Sequence, residues 1–417
     1  MPYILFIAYL LLFSWLITKS KFIANSGISK KLLVTLFLLK VFAGVAYGWM
    51  YSRIPEHHIY ADTWRFFYEG GDETDLLFNN PAKYFTDIFY NPYKNGYEKF
   101  FSNYHSYWSD LKNNFMVKLV SVFNIFSLKH YYVNVVFYSF LTFFGPVALY
   151  RVFNKIFTDK KNLLIIGCFL TPSFLYWCSG LHKDGFIFMS IALVMYHLDK
   201  ILSEEGFTFK RGLYIFLCLL FILPMRNYVV LGLLPAVTAW VLAEKIKQKK
   251  WVVFSAVYFV CSIFFFTSRF IHPKLNLPLS VSMRQDEFIN LKGNSFIPTK
   301  KLLPGFKSFI KNLPEAINHS LLRPYPGEAK SFLYIPASFE VVLYVLLLVC
   351  WIFWGENIFS NSSVLFGFFF SISLLLIIGY TIPFIGAIVR YRSILLPFMI
   401  TPMLCSISIK KRFSSSN

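Results

Sequence analysis

Apolar stretches recur along the whole of this 417-residue chain, and about eleven of them approach the length of a membrane span. A helix needs ~20 apolar residues to cross the hydrocarbon, and somewhat fewer where flanking side chains snorkel. The runs fall at residues 3–18, 32–50, 131–152, 163–179, 185–198, 212–224, 228–243, 251–270, 336–354, 364–384 and 393–409. The fold expected is therefore all-α: a polytopic integral membrane helical bundle of about eleven transmembrane helices, with two long extracytoplasmic loops. Several runs are short, and the pair 185–198 and 212–224 can alternatively be re-entrant. The first run has neither a basic leader nor an A-x-A cleavage site, so it is expected to be a retained helix.

Composition agrees. With 56% of residues hydrophobic and 15% charged, the chain is too apolar for an ordinary soluble domain, a disordered segment or a secreted disulfide scaffold. Lys and Arg number 41 against 21 Asp and Glu, a net charge of +20. On a polytopic protein such a surplus implies loops that fix topology and meet anionic membrane lipid, and no nucleic-acid partner. Cys168, Cys178, Cys218, Cys261, Cys350 and Cys405 sit in or beside apolar runs without metal-ligand spacing, as core or lipid-facing residues do.

The short connections set the orientation, because Lys and Arg near helix ends stay on the cytoplasmic side. Basic residues cluster at Lys19, Lys21, Lys30 and Lys31; at Arg151, Lys155, Lys160 and Lys161; at Lys200, Lys210 and Arg211; at Lys245, Lys247, Lys249 and Lys250; and at Lys410, Lys411 and Arg412. Eleven spans put all of these on one side, with the N-terminus outside and the C-terminus in the cytoplasm, as for a multi-pass protein of a bacterial inner membrane. The connection 355–363 falls on the same side without any Lys or Arg.

Five segments follow. Residues 1–53 hold two helices, 54–130 an extracytoplasmic acidic loop with interfacial helices, and 131–270 a central bundle. Residues 271–335 form an extracytoplasmic basic loop, and 336–417 the last helices and a cytoplasmic tail. Residues 54–115 carry a net charge of −4 and residues 271–335 a net charge of +5. An acidic loop beside a basic one suits a site that handles a hydroxylated acceptor and a phosphate-bearing donor; two solvated loops of accidental composition are the alternative. Aromatic residues interleave with charges in 81–118, among them Tyr84, Phe85, Phe89, Tyr90, Tyr93, Tyr97, Phe100, Tyr104, Tyr107 and Trp108, which is the pattern of helices lying at a membrane surface.

Ionisable residues at the mouth of a membrane bundle are functional candidates by default, and four groups stand out. If the run after the second span is helical, Asp62, Arg65, Phe66 and Glu69 share one face. A carboxylate there can take a proton from an attacking sugar hydroxyl or ligate a divalent ion. It can equally be a helix N-terminal acid or a local partner of Arg65. The turn Ser179-Gly180-Leu181-His182-Lys183-Asp184-Gly185 is expected to leave His182, Lys183 and Asp184 at the outer membrane face. There Lys183 can bind phosphate as a point charge, and Asp184 can cap the next helix and orient its neighbours. Arg226 stands alone between two apolar runs, either as a fork for phosphate oxygens or as a snorkelling anchor. Last come Arg323, within Arg323-Pro324-Tyr325-Pro326, and Arg390-Tyr391-Arg392. The latter is expected at a helix start, gripping a pyrophosphate and a sugar face. Arg269, Arg284 and Glu340 are lesser candidates. Motifs for nucleotide hydrolysis, dinucleotide binding, zinc proteolysis and esterase chemistry are absent from the sequence.

The run Asp62-Thr63-Trp64-Arg65-Phe66 resembles the D-x-x-x-[FY] pattern of polytopic GT-C-like glycosyltransferases, which use polyprenyl-phosphate sugars. Arg390-Tyr391-Arg392 followed by Pro397 resembles the RYR-x-P ending of those enzymes and of O-antigen and exopolysaccharide polymerases. The resemblance implies Asp62 as base or metal-binding carboxylate, and Arg390 and Arg392 as contacts to the lipid phosphate. The acidic loop here follows the second helix rather than the first, and no acidic doublet adjoins Asp62, which is closer to the polymerase arrangement. The expected activity is transfer of a sugar or oligosaccharide from a polyprenyl-(pyro)phosphate donor to a glycan, lipid or protein acceptor on the extracytoplasmic face. Asp62, Lys183 and Asp184 would be catalytic; His182, Arg226, Arg323, Arg390, Tyr391 and Arg392 would bind the lipid phosphate and sugar. No cofactor is implied beyond a divalent cation at Asp62, which stays open. A transporter or flippase of lipid-linked oligosaccharide is the rival, although repeat symmetry and broken mid-membrane helices are not evident in the sequence.

Overall fold

A computed structural model of the chain describes residues 2–53, 61–89, 96, 107–203, 206–272, 275–291, 293, 295–328 and 334–408. The basic tail Lys410, Lys411 and Arg412 lies outside the described residues, as do Tyr90, Tyr93, Tyr97, Phe100 and Tyr104 of the aromatic stretch. Among the described residues the chain is helical, with two isolated bridges and no β-strand.

In chain order the helices are α1 Pro2–Lys19, α2 Lys21–Ala24, α3 Lys30–Ser52, α4 Asp62–Asn79, α5 Pro81–Thr86, α6 Tyr107–Ser127, α7 Tyr131–Thr142, α8 Phe144–Phe153, α9 Lys161–Phe169 and α10 Pro172–Trp177. Then come α11 Lys183–Leu202, α12 Phe209–Met225, α13 Asn227–Lys245, α14 Lys250–Ile271, α15 Leu277–Ile289, α16 Phe306–Ile317, α17 Ile335–Trp354, α18 Ser362–Thr381, α19 Ile385–Ser393 and α20 Leu396–Ser406. A π-helical turn, Asn318–Leu322, extends α16. Several starts are written in the sequence as side-chain caps for otherwise unpaired N–H groups. Ser29 accepts from Leu32 N, Asn80 from Lys83 N ahead of Pro81, Thr208 from Arg211 N, and Asn276 from Leu279 N.

Among the described residues eight helices are long and apolar enough to cross a membrane: α1, α3, α7 with α8, α11, α13, α14, α17 and α18. The pair α19 and α20, bent by 62°, makes a ninth if it is one span. This is the architecture of a multi-pass helical membrane protein. The remaining expected runs take other forms. Residues 163–179 are divided between α9 and the six-residue α10, and residues 212–224 lie within α12, 17 residues long. The burial pattern is that of a lipid-facing bundle, with large apolar side chains such as Tyr3, Ile4 and Leu11 of α1 and Phe259 of α14 directed outward.

The chain divides into two compact units. The first comprises Met1–Arg151, Leu175–His197 and Thr208–Val230; the second comprises Val152–Phe174, Leu198–Phe207 and Leu231–Asn417.

In the first unit α1, α3 and α7 pack together, and glycine permits the closest approaches. A Cβ on Gly48 would stand 2.2 Å from the Tyr131 ring, and one on Gly44 would stand 2.3 Å from the Ser179 carbonyl oxygen. Arg151, near the end of α8, donates to Phe22 O at 3.0 Å and lies over the rings of Phe22 and Tyr196. The ends of α2, α8 and α11 therefore meet at one end of this unit, together with their basic residues. At the opposite end, Trp64 stacks on Tyr131 at 4.0 Å and donates to Gly48 O at 3.1 Å, which seats the start of α4 on the ends of α3 and α7.

Helix α4 then runs against α6. Lys118 of α6 binds Glu73 at 2.5 Å, Asp87 at 2.8 Å and the Tyr84 carbonyl at 2.7 Å, tying α4, α5 and the following turn to α6.

In the second unit α18 is the buried axis, with α14, α15, α16 and α20 against it. Gln285 organises the neighbouring loop by donating to Lys300 O and Tyr380 O and accepting from Leu302 N. The other end is closed where Glu356 N donates to Ser406 O and Ser408 N to Trp354 O.

Candidate functional site

The charged residues singled out in the sequence fall into two groups, one in each unit.

In the first unit α4 is helical from Asp62, so Asp62, Arg65, Phe66 and Glu69 do share a face. Arg65 lies 3.8 Å from both Asp62 and Glu69. Asn113 of α6 extends the group, because its Oδ1 accepts from Arg65 and from Lys183 Nζ, each at 3.5 Å. Lys183 also lies over the Phe66 ring, 5.1 Å from its centroid. Asp62 and Lys183 are thus linked through Arg65 and Asn113. Burial raises the Glu69 carboxyl above its ordinary value; Arg65 and Lys183 oppose the rise, while Asp72 and Asp62 add to it. The arrangement sets two carboxylates against two cations around one amide.

The turn that carries Lys183 differs from expectation. His182 and Asp184 are buried, with relative exposures of 1% and 0%, rather than displayed to solvent. The reason is that α10 ends at Trp177 and the non-helical residues 178–182 sink against α3. Their polar groups are met from neighbouring helices, as groups deep in a bundle require. Lys40 Nζ donates to Cys178 O at 2.6 Å, and Tyr47 Oη pairs with His182 Nε2 at 2.5 Å. Tyr138 Oη donates to His182 O at 2.8 Å and accepts from Gly185 N at 3.0 Å. Asp184, in the first turn of α11, forms a buried ion pair with Arg226. The expected phosphate fork and the expected cap therefore engage each other.

In the second unit Arg390, Tyr391 and Arg392 occupy the last turn of α19, not a helix start, just before the bend to α20. Cations there complement the negative end of the helix dipole. Arg390 lies over the Tyr391 ring, 5.9 Å from its centroid. Arg392 is wholly buried; its Nη1 donates to the carbonyls of Ser320, Leu321 and Arg323 at 3.0, 3.4 and 2.8 Å. It thereby collects carbonyls that the end of the π-helical turn leaves without helical partners. Arg323 pairs with Glu328. Glu340, buried in α17, accepts from Ser173 N at 2.9 Å. Of the lesser candidates, Arg284 pairs with Glu287 at 3.0 Å and Arg269 lies over Phe270.

Sequence reasoning passed over Lys40 and Asn113. Lys40 had a visible signal, a lone charge inside an apolar run. Asn113 had none, since an amide in a polar loop is unremarkable until folding sets it between two cations. No group of three or more His, Cys, Asp or Glu side chains that could hold a metal ion occurs among the described residues.

The chain matches no protein-family model, no curated protein and no solved structure.

Proposed function

We propose that the protein is a membrane glycosyltransferase of the GT-C-like or polysaccharide-polymerase kind, in the inner membrane of a bacterium. Its N-terminus is outside and its C-terminus cytoplasmic. It transfers a sugar or oligosaccharide from a polyprenyl-(pyro)phosphate to a glycan, lipid or protein acceptor on the extracytoplasmic side. The observation that carries this reading is the group formed by Asp62, Arg65, Glu69, Asn113 and Lys183, at the end of its unit opposite the basic connections. A carboxylate close to cations is what the reaction needs: Asp62 takes the proton of the attacking hydroxyl, and Lys183 meets the departing phosphate. A divalent ion at Asp62 is compatible with the chemistry. Stabilisation of charge on the leaving group is the main catalytic contribution, about 3 kcal/mol for one such contact.

The test is transfer by purified protein supplied with undecaprenyl-phosphate or undecaprenyl-pyrophosphate glycans. Asp62→Asn and Lys183→Ala should each lower the rate by about 100-fold or more. Transfer that neither substitution affects discards this site.

A second reading is favoured by one observation. The 62° bend between α19 and α20 is the kind of interrupted helix that transporters place beside a substrate. Under that reading the same cations hold a lipid-linked oligosaccharide during translocation. Substitution-sensitive translocation in vesicles without any transfer selects it.

A further inference from the structure

Helix α16 is too short to span a membrane, yet it carries an apolar stripe on its outer side. Its 12 residues extend ~18 Å, little more than half the thickness of the hydrocarbon. Phe309, Asn312 and Ala316 are buried, whereas Phe306, Ile310 and Ile317 are 60%, 52% and 39% exposed. With Pro314, these exposed residues fall on one face at i, i+4, i+8 and i+11. Lys307 and Lys311, both exposed, run along the border of the stripe on the side turned away from the buried face.

The contacts of α16 fix its depth. Phe306 meets the Phe266 ring at 5.2 Å, and Phe309 meets the rings of Phe265 and Phe266 at 5.5 and 5.4 Å. Both partners stand in the last two turns of α14, ~22–24 Å along its axis from Lys250. Phe309 O accepts from Tyr380 Oη, and Ala316 packs on Gly379. Contacts ~10 Å apart along α16 thus meet consecutive residues at the end of α18, so α16 lies across the ends of two spans. That is the level of lipid headgroups.

The nearby acids are already matched. Glu315 accepts from Lys300 N at 2.8 Å and lies 3.4 Å from its Nζ, Asp286 lies 4.0 Å from Lys301, and Glu287 pairs with Arg284. Among the described residues Lys307 and Lys311 join no ion pair or hydrogen bond. Lys307 stands in the first turn of α16, which holds no acidic residue and where a cation opposes the helix dipole. Two surplus cations one turn apart, beside an apolar stripe, are complementary to phosphates lying above acyl chains. A soluble phosphate would answer the lysines but leave Phe306 and Ile310 in water.

We infer that α16 is an interfacial docking helix for anionic phospholipid. Phe306, Ile310 and Ile317 rest on the acyl chains, and Lys307 and Lys311 hold headgroup phosphates. The inference stands apart from the transferase reading, and its test measures no transfer.

The experiment is amide hydrogen exchange on the full chain, in nanodiscs of phosphatidylcholine alone and of phosphatidylcholine with phosphatidylglycerol. Exchange across Phe306–Ile317 should slow by about tenfold or more with phosphatidylglycerol present, the effect of two lysines at an anionic surface. Raised salt should diminish the slowing. Lys307→Gln with Lys311→Gln should abolish it, and either substitution alone should remove part of it. Phe306→Asn with Ile310→Asn should speed exchange in both compositions, with melting temperatures verifying that the variants fold. Three outcomes overturn the inference: exchange indifferent to phosphatidylglycerol, slowing that survives loss of both lysines, or equal slowing by inorganic phosphate added to phosphatidylcholine nanodiscs, which would make the lysines a site for a soluble anion.

Discussion

Asp184 and Arg226 form an ion pair closed off from solvent, with side-chain exposures of 0% and 9%. Removing one partner of such a pair strands the other charge at low dielectric, whereas replacing both with apolar residues of similar volume is close to neutral. Arg226→Met should therefore destabilise the protein by about 3–5 kcal/mol. The double substitution Asp184→Leu with Arg226→Met should recover most of that. Thermal unfolding in detergent, followed by circular dichroism, measures both; equal losses in the single and double variants would contradict the pairing argument.

Lys118 is the common partner of Glu73 and Asp87, and all three side chains are less than a quarter exposed. Lys118→Ala would leave two carboxylates facing each other and release α5. A loss of about 2–3 kcal/mol is expected, below the fully buried case. Faster amide hydrogen exchange across residues 81–89 is the signature, with α1 and α3 unaffected.

Adjacent glycines in α4 should respond in opposite directions. A Cβ on Gly70 would sit 2.7 Å from Val120 Cγ1 and 3.0 Å from its Cβ, while one on Gly71 meets nothing within 4 Å. Gly70→Ala should cost about 1–3 kcal/mol by overpacking. Gly71→Ala should gain about 0.5–1 kcal/mol from helix propensity. Melting temperatures of the two variants, compared side by side, decide the matter.

His319 makes stability depend on acidity. Burial lowers its imidazole below the ordinary value of 6.5, Arg323 adds to the effect, and Glu315 and Glu328 oppose it. Below that value the unfolded chain takes up a proton that the folded one refuses. The contribution is therefore complete above pH 6.5 and is lost as pH falls through the lowered value. Glu69 acts with the opposite sign, since its raised value makes the folded state the better proton binder as pH rises. Melting curves from pH 7.5 to 5 should show a steeper acid loss in the parent than in His319→Gln, and parallel curves would remove His319 from the account.

The sequence announced the bundle because lipid-spanning helices need long apolar runs, and such runs survive in one dimension. It also placed Asp62 with Arg65 and Glu69, since helical spacing is local. What it missed is depth. Nothing in Ser179-Gly180-Leu181-His182 says that α10 stops early and lets the turn settle against Lys40 and Tyr47. Read as a surface hairpin, the segment displays His182 and Asp184; folded, it hides both. The bend before α20 escaped for a related reason. Pro397 marks a helix start, but whether the chain continues straight or turns is set by what α18 packs against it. Arg392 likewise read as a cation waiting for phosphate, because carbonyls offered by residues 69 to 72 positions away leave no mark in the sequence.

Lys40 and Cys178 are separated by 138 positions in the chain. During synthesis the second span enters the bilayer with a charged amine whose resting place has not yet been made. At ~5–20 residues per second, that wait lasts roughly 7–28 s. Early insertion of this segment is accordingly provisional, with the amine reaching toward headgroups or the translocation channel until its carbonyl acceptor arrives. The order of biogenesis is built into the contact: the third helix commits to its final depth only after the region around residue 178 has emerged from the ribosome.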